Sequence, residues 1–252
     1  MTNVFQKRSD SNLNKSTSKA TSGPTKSNEP ATDFVGKRIA IIAPHNDDEV
    51  VGCWHFMEAM AGIADIGVIV VTRHAGDADL TDTRRTETQQ ALLSVGVTEL
   101  SYWDIADGGA VDAADQLESL VSDLENRWDY IFCPAPNDRT FDHVPIAKAA
   151  TASISSGKLV WYRSTWWTFR MRDADVIFTG SIRNKIRALS VFRSQKKIAL
   201  ARGVWLSVFE HLLVKRRLSS AEGFVYARDS VLPADPLNSI SLRHYPRFPF
   251  WI

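Results

Sequence analysis

The sequence is short of several things, and each shortage removes a class of function. It has two cysteines in 252 residues, Cys53 and Cys133, which stand far apart and outside any paired ligand spacing. They cannot build a disulfide framework, and such usage fits a reducing compartment. Net charge is almost absent: 30 basic residues against 29 acidic leave +1, so no bulk field draws the chain to nucleic acid or anionic lipid. No apolar run approaches the roughly 20 residues needed to cross a bilayer, and the N-terminus lacks the apolar centre of a secretion signal. Together these absences predict a cytoplasmic protein with no membrane span and no nucleic-acid partner. Large apolar groups are also scarce in the first 35 residues, which are rich in Ser, Thr, Asn and Lys. That stretch reads as a disordered tail, because it cannot bury enough surface to offset its ordering entropy. The domain then runs from 36 to 252.

What remains is 44% hydrophobic, enough for one sizeable core. Arg38-Ile39-Ala40-Ile41-Ile42-Ala43 is a short, continuously apolar run, as expected of a strand covered on both faces. Similar runs recur at Ile66–Val71, Leu100–Trp103, Tyr130–Cys133 and Leu159–Tyr162. Helical patterns lie between them. One follows Glu49 with Val50, Val51, Trp54, Met57 and Met60 inward, one spans about Thr83 to Val95, and one runs from Asp112 to Arg127. Strands alternating with helices predict a Rossmann-like, doubly wound, mostly parallel sheet in a single domain with an irregular C-terminal part. In that part Ile182–Leu213 reads as one long helix, or two broken near Gly203, and the aromatic terminus around Phe248–Ile252 is expected to pack back onto the domain.

The first strand is followed by Pro44-His45-Asn46-Asp47-Asp48-Glu49, not by a glycine-rich phosphate loop, which argues against dinucleotide binding. A turn at this carboxyl edge can aim His45 and Asp48 at one point while leaving Asp47 beside it. Imidazole plus carboxylate suits zinc, but two ligands are too few. The fourth strand leads into Asn137-Asp138-Arg139-Thr140-Phe141-Asp142-His143, and His143 supplies a third ligand if the first and fourth strands are neighbours. Three protein ligands leave a position open, the mark of a catalytic rather than structural site. Asp47 is then placed to act as general base. Taken alone, either loop reads equally well as a hydrogen-bonded turn with helix capping; their occurrence at two corresponding strand ends favours the metal. His55 and His211 fall inside helical patterns and read as core or surface residues.

These two motifs resemble the AHPDDE and HPDH signatures of the PIG-L/LmbE-like N-acetylglucosaminyl deacetylases. The likeness extends to Thr72 and Gly76, to Arg84-Arg85-Thr86-Glu87, to Lys185 through Gln195, and to Ala221-Glu222-Gly223-Phe224. It covers roughly residues 37 to 228. The resemblance implies zinc-dependent hydrolysis of an N-acyl group on a glucosamine-type sugar, with His45, Asp48 and His143 as ligands and Asp47 as base; another divalent metal, such as iron or cobalt, suits the same donors. It also implies a substrate contact at Arg84, with Arg85 as an adjacent competitor. The chain departs from the signatures twice. Asn46 replaces a Pro, which should loosen the turn without removing chemistry. Thr140 replaces the first His of HPDH, which the family uses to polarise the acyl oxygen; the Thr140 hydroxyl, His74 or the zinc alone is the candidate substitute.

The run Trp161–Phe169 concentrates aromatic residues, which suit the C–H faces of sugar rings. Trp161 reads as core, and Trp166 is the candidate for the substrate cleft. The expected substrate is a soluble, small-molecule N-acetylated amino-sugar conjugate, an aminoglycoside or other secondary-metabolite intermediate being within the range the resemblance implies. The competing reading is a catalytically impaired sugar-binding or regulatory module of the same fold, for which Thr140 is the support.

Overall fold

A computed structural model describes residues 32–195, apart from 75, 139, 165–167 and 170, together with 204, 208 and 220–227. The aromatic C-terminus, His211, Trp166 and most of the segment read as a second late helix lie outside the described residues. So does the N-terminal tail up to residue 31.

Each continuously apolar run became a strand: β1 (Arg38–Ala43), β2 (Asp65–Arg73), β3 (Glu99–Ala106), β4 (Tyr130–Pro134) and β5 (Leu159–Tyr162). Between them lie α1 (Asp48–Met60), α2 (Ala78–Leu93), α3 (Ala114–Ser122) and α4 (His143–Ser153). The sheet adds β6 (Val176–Gly180) and β7 (Ser220–Tyr226), with α5 (Ile182–Leu189) after β6. Strand order is β3-β2-β1-β4-β5-β7-β6. The first five strands pair in parallel, while β7 runs antiparallel to both β5 and β6. The fold is therefore the expected mostly parallel α/β sheet, closed at one side by a mixed edge.

Side chains alternate across each strand, so β1 feeds two cores. Ile39 and Ile41 pack with α1, α2 and α5 on one face; Ala40 and Ile42 pack with α3 and α4 on the other. Removing each such aliphatic or aromatic side chain from water contributes about 1.5–3 kcal/mol. Close approach of α1 to the sheet depends on Gly52, where a Cβ would meet the Tyr162 ring at 2.4 Å. The expected long helix from Ile182 stops at Leu189, where Ser190 caps it and turns follow to Gln195.

The connections diverge at β1. Its next strand in sequence lies on one side and β4 on the other. This reversal opens a crevice above the carboxyl ends of β1 and β4, the place where open α/β sheets bind ligands. β1 and β4 are indeed hydrogen-bonded neighbours, with Ile39, Ala40 and Ile41 opposite Tyr130, Ile131 and Phe132.

Candidate metal centre

The chain leaves β1 through Pro44, whose carbonyl accepts from the Thr72 backbone N–H at 2.9 Å and from its hydroxyl at 2.8 Å. Thr72, one of the motif residues, thus pins the start of the turn to β2. The turn then folds tightly on itself. The His45 N–H donates to Asp48 Oδ2 at 3.0 Å, and the Asp47 N–H donates to Glu49 Oε2 at 3.1 Å. Asp47 adopts φ 116° and ψ −25°, a left-handed conformation that a non-glycine residue rarely takes. Asp47, Asp48 and Glu49 are all buried.

His143 begins α4 and projects from the β4 side. Its Nε2 lies 3.1 Å from Asp48 Oδ2, and His45 Nδ1 lies 3.0 Å from the same oxygen. The three sequence-predicted ligands therefore converge, with one ligand atom from each within 4.8 Å of the others. The far nitrogens of the two rings are committed elsewhere. His143 Nδ1 meets Asp138 Oδ2 at 2.9 Å, and His45 Nε2 meets Asp142 Oδ2 at 3.1 Å. A carboxylate behind each imidazole fixes ring orientation and tautomer, leaving the inner lone pair for a metal. His143 Nε2 is fully buried and faces the Asp48 carboxylate, so nitrogen and oxygen donors meet at one point, an arrangement that a cation there would satisfy. The donor set fits a divalent metal.

A second grouping, His45 with Asp107 and Asp142, also brings three donor atoms together. It is the poorer ligand set, because Asp142 already accepts the Gly108 N–H at 2.8 Å and the Ala110 N–H at 3.2 Å. Asp142 orients His45 and ties the β3 loop to it.

Electrostatics follow from this crowding of acids. Burial disfavours a charge on His143, but Asp48 and Asp138 outweigh it and push its pKa up to about 9. Burial likewise opposes a charge on His45, and hydrogen bonds to Asp107, Asp142 and Asp48 still raise it well above the usual histidine range. Asp138 resists its own burial and stays well below the usual carboxylate range through His143, the Ser164 hydroxyl and the Thr140 N–H. Glu49 behaves oppositely. Burial first, and then the neighbouring Asp47, raise its carboxyl well above the usual range.

The remaining predicted residues separate. Arg84 and Arg85 face different ways. Arg85 pairs with Asp104 and lies over the Tyr102 ring at 4.7 Å. Arg84 instead lies near Asp107, whose carboxyl is lowered first by its hydrogen bond to His45 and also by the Arg84 charge. Thr140 uses its backbone, donating to Asp138 Oδ1 at 2.8 Å and accepting from the His143 N–H at 3.1 Å. His74 sits in the loop after β2, half-buried, its Nδ1 without a hydrogen bond; its ring makes no hydrogen bond or ion pair to the cluster. Asn46 does not loosen the turn as expected: it is buried and hydrogen-bonded. His55 is a core residue, with Nε2 at 2.6 Å from Ser220 Oγ. Asp107, Asp138, Asp142 and Ser164 were not singled out from sequence. Two of them stood inside the very loop that supplies His143, and an acid within a few residues of a ligating His is the signal that could have found them.

Known proteins resemble the chain in sequence pattern and in fold. Residues 40–154 match the model of the PIG-L family, GlcNAc-PI de-N-acetylase. No curated protein matches the chain by sequence. Among solved structures, the N,N'-diacetylchitobiose deacetylase of Pyrococcus horikoshii is similar with a TM-score of 0.59 at 16% identity, over 78% of this chain and 87% of its own. The conserved protein TT1542 of Thermus thermophilus gives 0.61 at 22% identity, over 78% and 95%. The 4-carboxy-2-hydroxymuconate hydratase GalB of Pseudomonas putida gives 0.54 at 15% identity, over 79% and 97%. At these identities the likeness establishes the fold, and the hydratase among the three shows that the fold alone does not choose the reaction. The match bears out the resemblance read from the two motifs, over a segment, 40–154, that holds every residue of the cluster except Ser164.

Proposed function

We propose that the chain is a zinc-dependent hydrolase that removes an N-acetyl group from a glucosamine-type sugar conjugate. One observation carries the reading: two imidazoles from different strand-end loops, each backed by a carboxylate, converge with Asp48, next in the chain to the buried Asp47. The family match supports the amide and the amino sugar. Two nitrogen donors and one oxygen donor suit zinc, although iron or cobalt fit the same set.

His45, Asp48 and His143 would hold the ion, with Asp138 and Asp142 orienting the two rings. When bound, a divalent ion polarises an acyl carbonyl and lowers the pKa of a water. Asp47 takes the proton of the attacking water at its carboxylate. Asp107, whose side chain is 34% exposed and touches His45, and the nearby Arg84 face the site with a carboxylate and a guanidinium, groups that suit sugar hydroxyls. The acyl oxygen needs a donor in place of the absent His, and the Thr140 hydroxyl and His74 are the two available. Thr140→Val and His74→Ala distinguish them: the variant that lowers turnover without losing metal identifies the donor.

The second reading, a sugar-binding module without turnover, is favoured by Thr140 alone. Acetate release from a panel of N-acetylated glucosamine conjugates tests the two. The wild type should release acetate, and Asp47→Ala should be about 10²–10⁴-fold slower with metal retained. Metal-loaded wild type that releases no Asp47-dependent acetate from any substrate supports the module instead.

A further inference from the structure

Asn46 is where the metal turn departs from the signature it resembles, and its side chain is not idle. It is 6% exposed, and Nδ2 donates to the Thr88 hydroxyl at 2.8 Å; Thr88 itself is fully buried on α2. The next residue is Asp47 at φ 116°. A non-glycine residue in such a region is strained and persists only where its surroundings hold it. Several bonds hold the turn from within: the His45 and Asp47 N–H groups on Asp48 and Glu49, and the Asp48 N–H on the His45 carbonyl at 3.3 Å. These move with the turn and cannot fix its tip against the rest of the protein. The Asn46–Thr88 bond reaches another element. Thr88 lies one helical turn from Arg84 on the same face of α2, and its neighbour Glu87 is anchored by the Ser194 N–H at 3.0 Å and hydroxyl at 2.6 Å.

We infer that the Asn46–Thr88 hydrogen bond is a strut that holds Asp47 in its left-handed conformation and sets the metal turn against the helix bearing Arg84. It replaces by a buried tertiary bond the stiffness that a proline ring supplies at the same position of the resembling signature. Asn46 is thus a positioning residue, acting through Asp47 and the adjacent ligands. The Asn46 N–H donates to no other described group, so a proline there removes no backbone bond. The inference rests on the metal-centre reading for its functional consequence.

The test uses cobalt(II) as the probe, titrated into the full chain and followed by its visible spectrum. Asn46→Ala and Thr88→Val should each weaken cobalt binding about tenfold, as loss of a supporting hydrogen bond does. The double variant should be no weaker than either single one, because both remove the same bond. Asn46→Pro should bind within about threefold of wild type and should be indifferent to Thr88→Val, a rescue that a general loss of packing would not show. Wild-type affinity in both single variants, or losses that multiply in the double variant, overturns the strut. If the wild type itself takes up no cobalt, the metal-centre reading fails, and the strut is then read from amide hydrogen exchange. Val50 and Val51 donate to the Asp47 carbonyl at 3.0 and 2.8 Å. Equally faster exchange there in the Ala and Val variants, reversed in Asn46→Pro, upholds the strut, and unchanged exchange overturns it.

Discussion

One helix serves two buried polar clusters of opposite character. The N-terminus of α1 carries Asp48 into the switch-point cluster, while its later turns carry His55 and the Val51 carbonyl into a second one. In that second cluster every charge meets its complement. Lys185 Nζ lies 2.6 Å from Glu222 Oε1 and donates to the Val51 carbonyl at 2.7 Å, and Glu222 Oε2 accepts the His55 N–H at 2.8 Å. All of it is closed to solvent. In the switch-point cluster four aspartates, at 48, 107, 138 and 142, face two histidines, and His45 and Asp107 keep 19% and 34% of their side chains exposed. A closed, balanced cluster fastens elements together, whereas an open cluster with excess negative charge suits the cation proposed above. The two histidines report the difference. Burial lowers His55, whereas carboxylates push His143 up to about 9 although it too is buried.

The largest effect expected from this contrast is on stability at the closed cluster. Lys185→Met leaves Glu222 buried and unpaired and should cost about 3–5 kcal/mol in urea unfolding, most of it recovered in Lys185→Met/Glu222→Leu. Neither change should alter metal affinity. Next is a pH effect on the metal-free protein. Because the folded pKa of His143 lies above its unfolded value, its contribution is fully present below pH 6.5 and is lost as pH rises to about 9. That shift corresponds to about 3 kcal/mol. His55, lowered by burial, acts in the other sense, weakening the fold as pH falls below 6.5. Stability against pH should therefore decline on the alkaline side, where the raised His45 acts in the same sense, and His143→Gln should shrink that limb and leave the acid side unchanged. Asp138→Asn should weaken metal binding about 10–100-fold and, because Asp138 helps to raise His143, should shrink the same alkaline limb. The smallest effect is at Arg85, whose exposed pair with Asp104 is worth at most about 1 kcal/mol. Arg85→Met should leave acetate release unchanged, and Arg84→Met should raise KM.

The legible parts of the molecule were those fixed by local pattern. The five apolar runs became β1 to β5, since continuous burial on both faces needs continuous apolar sequence. β7 was hidden because Glu222 and Gly223 interrupt it. Both are explained only by tertiary neighbours: Lys185 for the acid, and for the glycine Ala174 and Met171, which a Cβ would meet at 3.0 Å. The three converging residues could be read because each stands at a strand end next to an acid or a helix start. Their orienting carboxylates could not, because which acid of a loop turns toward an imidazole depends on backbone direction. Asp107 required knowing that the β3 loop reaches Asp142 through the Gly108 and Ala110 N–H groups. Arg84 and Arg85 could be told apart only by the phase of α2 relative to β3. The paired motifs gained a reason from the structure as well: Lys185 with Glu222, and Glu87 with Ser194, are the two halves of single contacts.

The open, acid-rich cluster is expected to bind a divalent metal and the closed one is not. Zinc analysis of the purified full chain tests this directly, comparing wild type with Asp48→Asn and His143→Ala. The account predicts about one zinc per chain in the wild type and its loss in both variants. Wild type that binds no zinc, or variants that keep the wild-type content, would contradict it.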